Sequence, residues 1–246
     1  MSRAVVIIPA RLAATRLPNK PLADIAGKPM IQHVYERAAR AARIADVLVA
    51  TPDAAIAQAV QAFGGRVALT SPNHPTGTDR VAEAARALPD DVSVIVNVQG
   101  DEPLLDPEVL DAVAGALLDD PSIVMASVLC PLPPGREDDP NVVKVTCDLR
   151  GFALYFSRSP LPFRRNAGVL YAPQQHVGLY AYRRDFLETL TRMAPTPLEQ
   201  AESLEQLRAL EHGYRIKMVE TARAPESVDT PDDLARVRAL FTAEAA

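Results

Sequence analysis

The run Val5-Val6-Ile7-Ile8-Pro9 constrains this chain more than any other part of it. Four β-branched residues in succession, with no polar partner, suit a strand covered on both faces, and such strands belong to parallel sheets roofed by helices. Pro9 removes a backbone donor and ends the ladder. The segment that follows, Ala10 to Lys20, carries Arg11, Arg16 and Lys20 but neither an acidic residue nor a glycine. In α/β sheets, ligands bind beyond the carboxyl ends of the strands, so this loop lies at the expected ligand mouth. Three cations gathered there ask for an anion of matching charge, for which a nucleoside triphosphate is the natural candidate. A solvated basic loop is the alternative.

The rest of the first half repeats the strand-then-helix rhythm. Pro29 is predicted at the first position of a helix that runs to about Arg43, with Ile31, Val34, Tyr35 and Ala38 on one face. Val47 to Ala50 reads as a second buried strand, and Thr51-Pro52-Asp53 opens a helix that Gly64-Gly65 ends. Val67 to Leu69 is a short strand, Thr78-Asp79 starts an Ala-rich helix reaching Leu88, and Val92 to Val98 is the next strand. After Ser122, strand candidates follow one another at Ile123–Leu129, Val142–Thr146, Phe152–Phe156 and Gly178–Tyr182. Asp148 to Gly151 reads as a hairpin turn. The proline-rich segment Ser159 to Gln175 reads as a long loop of functional character. Helices are predicted at Pro197–His212 and Pro231–Phe241, with the strand Tyr214–Val219 between them. The expected architecture is one α/β domain over residues 1–246, a mostly parallel sheet with an antiparallel insertion.

The net charge of −5 argues against a nucleic-acid or anionic-membrane surface, which would carry a basic excess. Cys130 and Cys147 show neither CxxC spacing nor metal-like clustering, which favours a reduced, cytoplasmic protein. Arg11 cuts the N-terminal apolar run too short for a signal peptide, and no run has membrane-spanning length.

Two familiar phosphate devices, GxxxxGK[ST] and GxGxxG after the first strand, are missing from the sequence. The segment Val96-Asn97-Val98-Gln99-Gly100-Asp101-Glu102-Pro103 instead puts an acidic pair directly after a buried strand. Mg²⁺ in nucleotidyl chemistry is held by one or two carboxylates plus substrate phosphates, so few protein ligands suffice. Asp101 as a turn cap is the alternative. In Asp229-Thr230-Pro231-Asp232-Asp233, Thr230 and Asp233 form a helix cap around Pro231, leaving Asp229 without a structural task. It could complete a metal site if its strand end lies beside that of Asp101.

These residues resemble the 3-deoxy-manno-octulosonate (Kdo) cytidylyltransferase family from Val5 to about Leu240. The matching motifs are Ile8-Pro9-Ala10-Arg11, Thr15 to Leu22, His74-Pro75-Thr76-Gly77-Thr78-Asp79-Arg80 and Val96 to Pro103. Further along are Leu154 to Arg158, His176 to Tyr180, Leu204 to Arg208 and Val228 to Pro231. The resemblance implies a three-layer, Rossmann-like nucleotide-diphospho-sugar transferase fold. It implies a Mg²⁺-dependent reaction in which the anomeric hydroxyl of Kdo attacks the α-phosphorus of CTP, giving CMP-Kdo and pyrophosphate for lipopolysaccharide biosynthesis. By the family pattern, Arg11, Arg16 and Lys20 hold the triphosphate, and Ala10, Thr76, Arg80 and Gln99 belong to the nucleotide site. Asp101 and Asp229 ligate Mg²⁺ and, with Arg11 and Lys20, form the catalytic set. Gln99, Arg158, Arg165, His176, Tyr180, Glu205 and Gln206 surround the sugar. A homodimer is implied, with residues 148–183 as a sugar-binding and dimerisation insertion.

Each sugar residue has a plainer alternative. His176 could be a hydrogen-bonded core histidine before an apolar strand, Glu205 could lie on a solvated face with Glu199, Glu202 and Glu211, and one of Tyr180 and Tyr182 is expected to be core. The chain departs from the family at Ala14, where Ser is usual, and at Asn19, where Gly is usual. Asn tolerates a left-handed backbone. Pro52 intrudes between Thr51 and Asp53, Asp79 replaces Glu, and the 159–175 loop is short. These departures leave a cytidylyltransferase for another acidic sugar, such as an amino-Kdo or a sialic-type acid, as the second reading.

Overall fold

The computed structural model describes residues 2–13, 17–166 and 168–244. Its first half runs β1 (Arg3–Pro9), a 3-10 turn (Lys20–Leu22), β2 (Asp24–Ile25), β3 (Lys28–Pro29), α1 (Met30–Ala38), β4 (Ile44–Thr51), α2 (Ala54–Ala62), β5 (Arg66–Leu69), α3 (Gly77–Arg86), β6 (Val92–Asn97) and α4 (Pro107–Asp119). The second half runs β7 (Met125–Pro131), β8 (Lys144–Cys147), β9 (Ala153–Ser157), β10 (Gln174–Arg183), α5 (Arg184–Arg192), α6 (Pro197–Glu202), α7 (Gln206–Glu211), β11 (Ile216–Glu220) and α8 (Pro231–Glu244).

The main sheet has the order β11-β7-β10-β6-β1-β4-β5, with β8 and β9 extending from β10. β1 lies between β6 and β4 and is parallel to both, as its unbroken apolar run demands. β10 enters antiparallel between β6 and β7, and β8 and β9 form an antiparallel pair beyond it. One face of the sheet packs under Ile31 and Val34 of α1, Ile56 and Val60 of α2, and Leu110 and Val113 of α4. The other packs under Val81 and Ala84 of α3, Phe186 and Leu187 of α5, and Leu207 of α7. Val5 to Ile8 point alternately into the two layers and none is more than 1% exposed, so each contributes on the order of 1.5–3 kcal/mol of apolar transfer. A smaller third core of Ile25, Met30, Val228, Leu234 and Val237 fastens α8 to β2 and α1. That core holds the two ends of the chain together beneath the loop that carries Lys20.

Several boundaries differ from those the sequence predicts. α1 stops at Ala38 rather than near Arg43 because Asp111 of α4 takes the amides of Ala42 and Arg43 at 3.0 and 2.7 Å and turns the chain into β4. Pro29 is the residue before the helix, not its first turn. α3 begins at Gly77, one residue before the predicted start, with Thr76 and Asp79 closing a reciprocal capping box. The single helix predicted over 197–212 is two, broken where Ser203 adopts a left-handed φ of 51°. α4 is a helix the spacing did not single out, although Asp106 caps it and Pro107 opens it. β10 starts four residues early, so His176 lies within a strand rather than before one.

Candidate active site

A cleft of about 400 Å³ opens at the carboxyl ends of β1 and β6. Its lining includes Ala10, Arg11, Lys20, Thr76, Arg80, Gln99, Asp101 and Asp229, eight of the residues singled out from the sequence. Arg16 and Ala14 lie outside the described residues. The loop leaving β1 is held by specific bonds rather than by glycine flexibility. The amide of Ala10 bonds the Ala50 carbonyl at 3.0 Å, and that of Leu12 bonds the Asp53 carboxylate at 2.8 Å. Asn19 takes the left-handed conformation that Asn tolerates (φ 56°), and the 3-10 turn of Lys20 begins there. Across the cleft Gly100 packs closely: a Cβ there would stand 3.3 Å from the Pro9 carbonyl oxygen, a tight contact.

Lys20 binds both candidate metal carboxylates. Its Nζ donates to Asp101 Oδ2 at 2.6 Å and to Asp229 Oδ1 at 3.1 Å, joining residues 81 and 209 positions away in sequence. The backbone draws the same segments together, since the Val228 amide donates to the Asp101 carbonyl at 2.9 Å. Burial alone would lower the Lys20 pKa, but the two carboxylates outweigh it and hold the ammonium above its ordinary value. Next along, Glu102 is buried with one carboxylate oxygen unpartnered; burial first and the Asp101 charge second push its pKa up to about 8. No group of three or more His, Cys, Asp or Glu that could hold a metal occurs among the described residues. Two carboxylates within reach of one cation, beside a cleft fit for phosphates, are the donor set Mg²⁺ uses when substrate oxygens complete its shell.

The opposite wall is the start of α3. Arg80 is 3% exposed and donates to Thr70 Oγ1 at 2.6 Å and to the Ser71 carbonyl at 3.1 Å. Burial, then the nearby Arg11 charge, lower its pKa, while Asp53 and Glu83 act in the opposite direction. Glu83 fixes the loop above by accepting from the Ser71 amide at 2.9 Å and by bonding His74.

The candidate sugar residues begin where this wall ends. Glu205 precedes α7 and accepts from the hydroxyl of Thr78, with Thr76 also in hydrogen-bonding contact. Burial raises its pKa. Gln206 is buried with its Nε2 unpartnered, and so is Asn97 with its Oδ1. Tyr180 stands opposite Asn97 in the β10–β6 ladder, half-buried, with its ring 5.5 Å from that of His176. Burial and the charge of Glu205 raise the Tyr180 pKa. Tyr182 is the core member of the tyrosine pair, at 1% exposure.

His176 Nε2 meets Ser127 Oγ at 2.8 Å, and Ser127 donates its one proton to the Leu179 carbonyl at 2.8 Å. The histidine is therefore the donor to Ser127, which leaves its Nδ1 as an acceptor. Arg158 is occupied elsewhere: its guanidinium donates to the carbonyls of Glu202, Pro140 and Ser203 at 2.7, 2.8 and 3.3 Å. Arg165 lies exposed on the 159–173 loop.

Of the residues offered with Glu205 as a solvated face, only Glu211 is exposed, and all three are bonded. Glu199 pairs with Arg208 at 2.5 Å, Glu202 accepts from Ser157 and the Arg158 amide, and Glu211 caps the start of α6. Asp53, Thr78 and Ser127 were not singled out from the sequence. Each acts on a backbone amide or on another side chain, and such bonds leave no periodic signal.

The cytidylyltransferase family matches residues 5–217. A 3-deoxy-manno-octulosonate cytidylyltransferase of Geobacter sulfurreducens is 54% identical over 243 residues, covering 94% of this chain and 96% of its own. One of the same description from Anaeromyxobacter dehalogenans is 53% identical over 245 residues, covering 100% of both chains. A solved structure described as CMP:2-keto-3-deoxy-manno-octonic acid synthetase complexed with CTP superimposes with a TM-score of 0.95 at 46% identity, over 99% of this chain and 100% of the other.

Proposed function

The chain belongs to the cytidylyltransferase family, and on that premise we propose that it transfers CMP from CTP to the anomeric hydroxyl of Kdo, releasing pyrophosphate. The observation that carries the reading is the meeting of Asp101 and Asp229 on one cation at the edge of a cleft walled by Arg11 and Arg80. The relatives' own description as Kdo enzymes favours that sugar over an amino-Kdo or a sialic-type acid.

The roles follow from charge and shape. Arg11 and Lys20 hold the triphosphate, joined by Arg16. Ala10, Thr76, Arg80 and Gln99 hold the nucleoside. Transfer at phosphorus asks the protein for alignment and for charge where charge develops, and fixed cations beside the leaving pyrophosphate supply it. Asp101 and Asp229 fit Mg²⁺, which when bound adds Lewis acidity toward phosphate oxygens and the attacking hydroxyl. Gln99, Tyr180, His176, Glu205 and Gln206 form the polyol wall; the unpartnered Nε2 of Gln206 and the acceptor Nδ1 of His176 support this, since a sugar hydroxyl could satisfy both. Arg165 is the cation for the Kdo carboxylate. Arg158 contributes by tying the base of the 159–173 loop to α6.

The protein is read as a cytoplasmic homodimer feeding lipopolysaccharide assembly. Among the described residues no helix is long and apolar enough to cross a membrane. The exposed Leu149, Leu154, Phe163, Val169 and Leu170 support residues 148–183 as the dimer surface. Pyrophosphate release with CTP, Mg²⁺ and a panel of acidic sugars tests the function. Kdo should be turned over fastest; equal or faster turnover of a sialic-type acid or an amino-Kdo would overturn the substrate assignment.

A further inference from the structure

Lys20 Nζ lies 2.6 Å from Asp101 Oδ2 and 3.1 Å from Asp229 Oδ1, and its side chain is 16% exposed. A divalent cation spanning these two aspartates would compete for the gap between them that the ammonium now bridges. Each carboxylate keeps a second oxygen and further lone pairs, so the competition is one of space and charge rather than of ligand count; magnesium holds its oxygens at about 2.0–2.1 Å, closer than a hydrogen-bonding ammonium stands. Charge points the same way. A divalent cation added without moving the lysine would bring two cations close together in a partly buried site.

The backbone of Lys20 is not free to retreat. It follows the left-handed Asn19 and precedes the buried Pro21 in a 3-10 turn. Its four-carbon side chain is what can swing, and the cleft that it lines also holds Arg11. We propose that Lys20 is an exchangeable counter-ion for the metal site: it neutralises Asp101 and Asp229 until a divalent cation displaces it into the cleft, toward the triphosphate. Metal binding thus presents the lysine to the nucleotide. This rests on the reading of Asp101 and Asp229 as the metal ligands.

The test is Mn²⁺ binding to the full chain without nucleotide, read from the electron paramagnetic resonance signal of free Mn²⁺. Wild type is compared with K20M, K20Q and D101N. K20Q, whose amide can still bond one carboxylate, keeps the test open should K20M fail to fold. Removing the competing ammonium should tighten Mn²⁺ binding in K20M or K20Q within the roughly 5- to 150-fold range typical of coupled sites, and D101N should weaken it. Wild-type affinity or weaker in the folded lysine variants, with binding still lost in D101N, would overturn the exchange and leave the metal site standing. Unchanged affinity in D101N would remove the metal site and the exchange together.

Discussion

The amide of Val228 donates to the carbonyl of Asp101 across 2.9 Å, and this one backbone bond sets Asp229 beside Asp101. The Val228 side chain is 0% exposed, locked between Ile25, Met30, Leu234 and Val237. A hydrophobic contact outside the cleft thereby fixes the spacing of two carboxylates. V228A removes two buried methyl groups and should cost about 1.5–3 kcal/mol of stability. It should also raise the Mg²⁺ concentration needed for half-maximal turnover. Denaturant unfolding and a magnesium titration read the two effects; an unchanged magnesium requirement would uncouple this small core from the carboxylates.

Replacing either carboxylate should be far more damaging to turnover than to the fold. In D101N or D229N, Lys20 keeps one anionic partner, so thermal unfolding should shift by only a few degrees. Pyrophosphate release should fall by roughly 10²-fold or more, the scale on which single transition-state electrostatic contacts act. Near-wild-type turnover in D229N would refute its role.

Asp53 is the second anchor of the loop. Its carboxylate accepts the Leu12 amide at 2.8 Å, and its charge opposes the lowering of the Arg80 pKa. D53A should raise the KM for CTP several-fold with a smaller effect on kcat, whereas D53N, which keeps an acceptor oxygen, should restore much of the loss. Equal damage in both variants would point to the charge rather than to the bond.

The legible parts of this molecule are those written in local pattern. The run Val5 to Ile8 announced a central strand and Pro9 its end, and both are present, while Asn19 adopts the left-handed backbone that Asn tolerates. The suggestion that Asp229 lacks a structural task led to its meeting with Asp101. What stayed illegible depends on contacts between distant segments. Nothing local marks Ser203 as left-handed; the break follows from the bonds around it, where Arg208 pairs with Glu199 and the Leu204 amide bonds the Glu199 carbonyl. The stop at Ala38 is imposed by Asp111, 69 residues on from Ala42. Lys20, expected at phosphate from its charge and from the family pattern, donates to two carboxylates in this structure, because a sequence gives the sign of a residue but not its neighbours.

The Arg208–Glu199 pair, with side chains 9% and 11% exposed, clamps α6 to α7 and so positions Glu205, just before α7, and Gln206, its first residue. Breaking a buried pair from one side strands a charge, which is costlier than losing the pair as a whole. R208M should therefore destabilise the protein by about 3–5 kcal/mol. The double variant carrying also E199L should recover part of that loss. A double variant no better than R208M would mean that the packing of the helices, not the stranded carboxylate, sets the penalty.

His176 gives a prediction in pH. Burial pushes its pKa from 6.5 down to about 3, so the folded protein holds it neutral while the unfolded chain protonates it near its ordinary value. Between about pH 6.5 and 3 the unfolded state binds the extra proton, and stability must fall as pH falls through that window. Above it the residue contributes no pH dependence. H176Q keeps a donor for Ser127 but cannot titrate, so its stability relative to wild type should rise steadily below pH 6.5 and stay level above. The acid limb of the pH–rate profile should be the same in both, because His176 does not ionise in the folded enzyme at working pH. A limb that shifted in H176Q would show that the ring carries a proton during turnover and would overturn the neutral-acceptor role proposed for it.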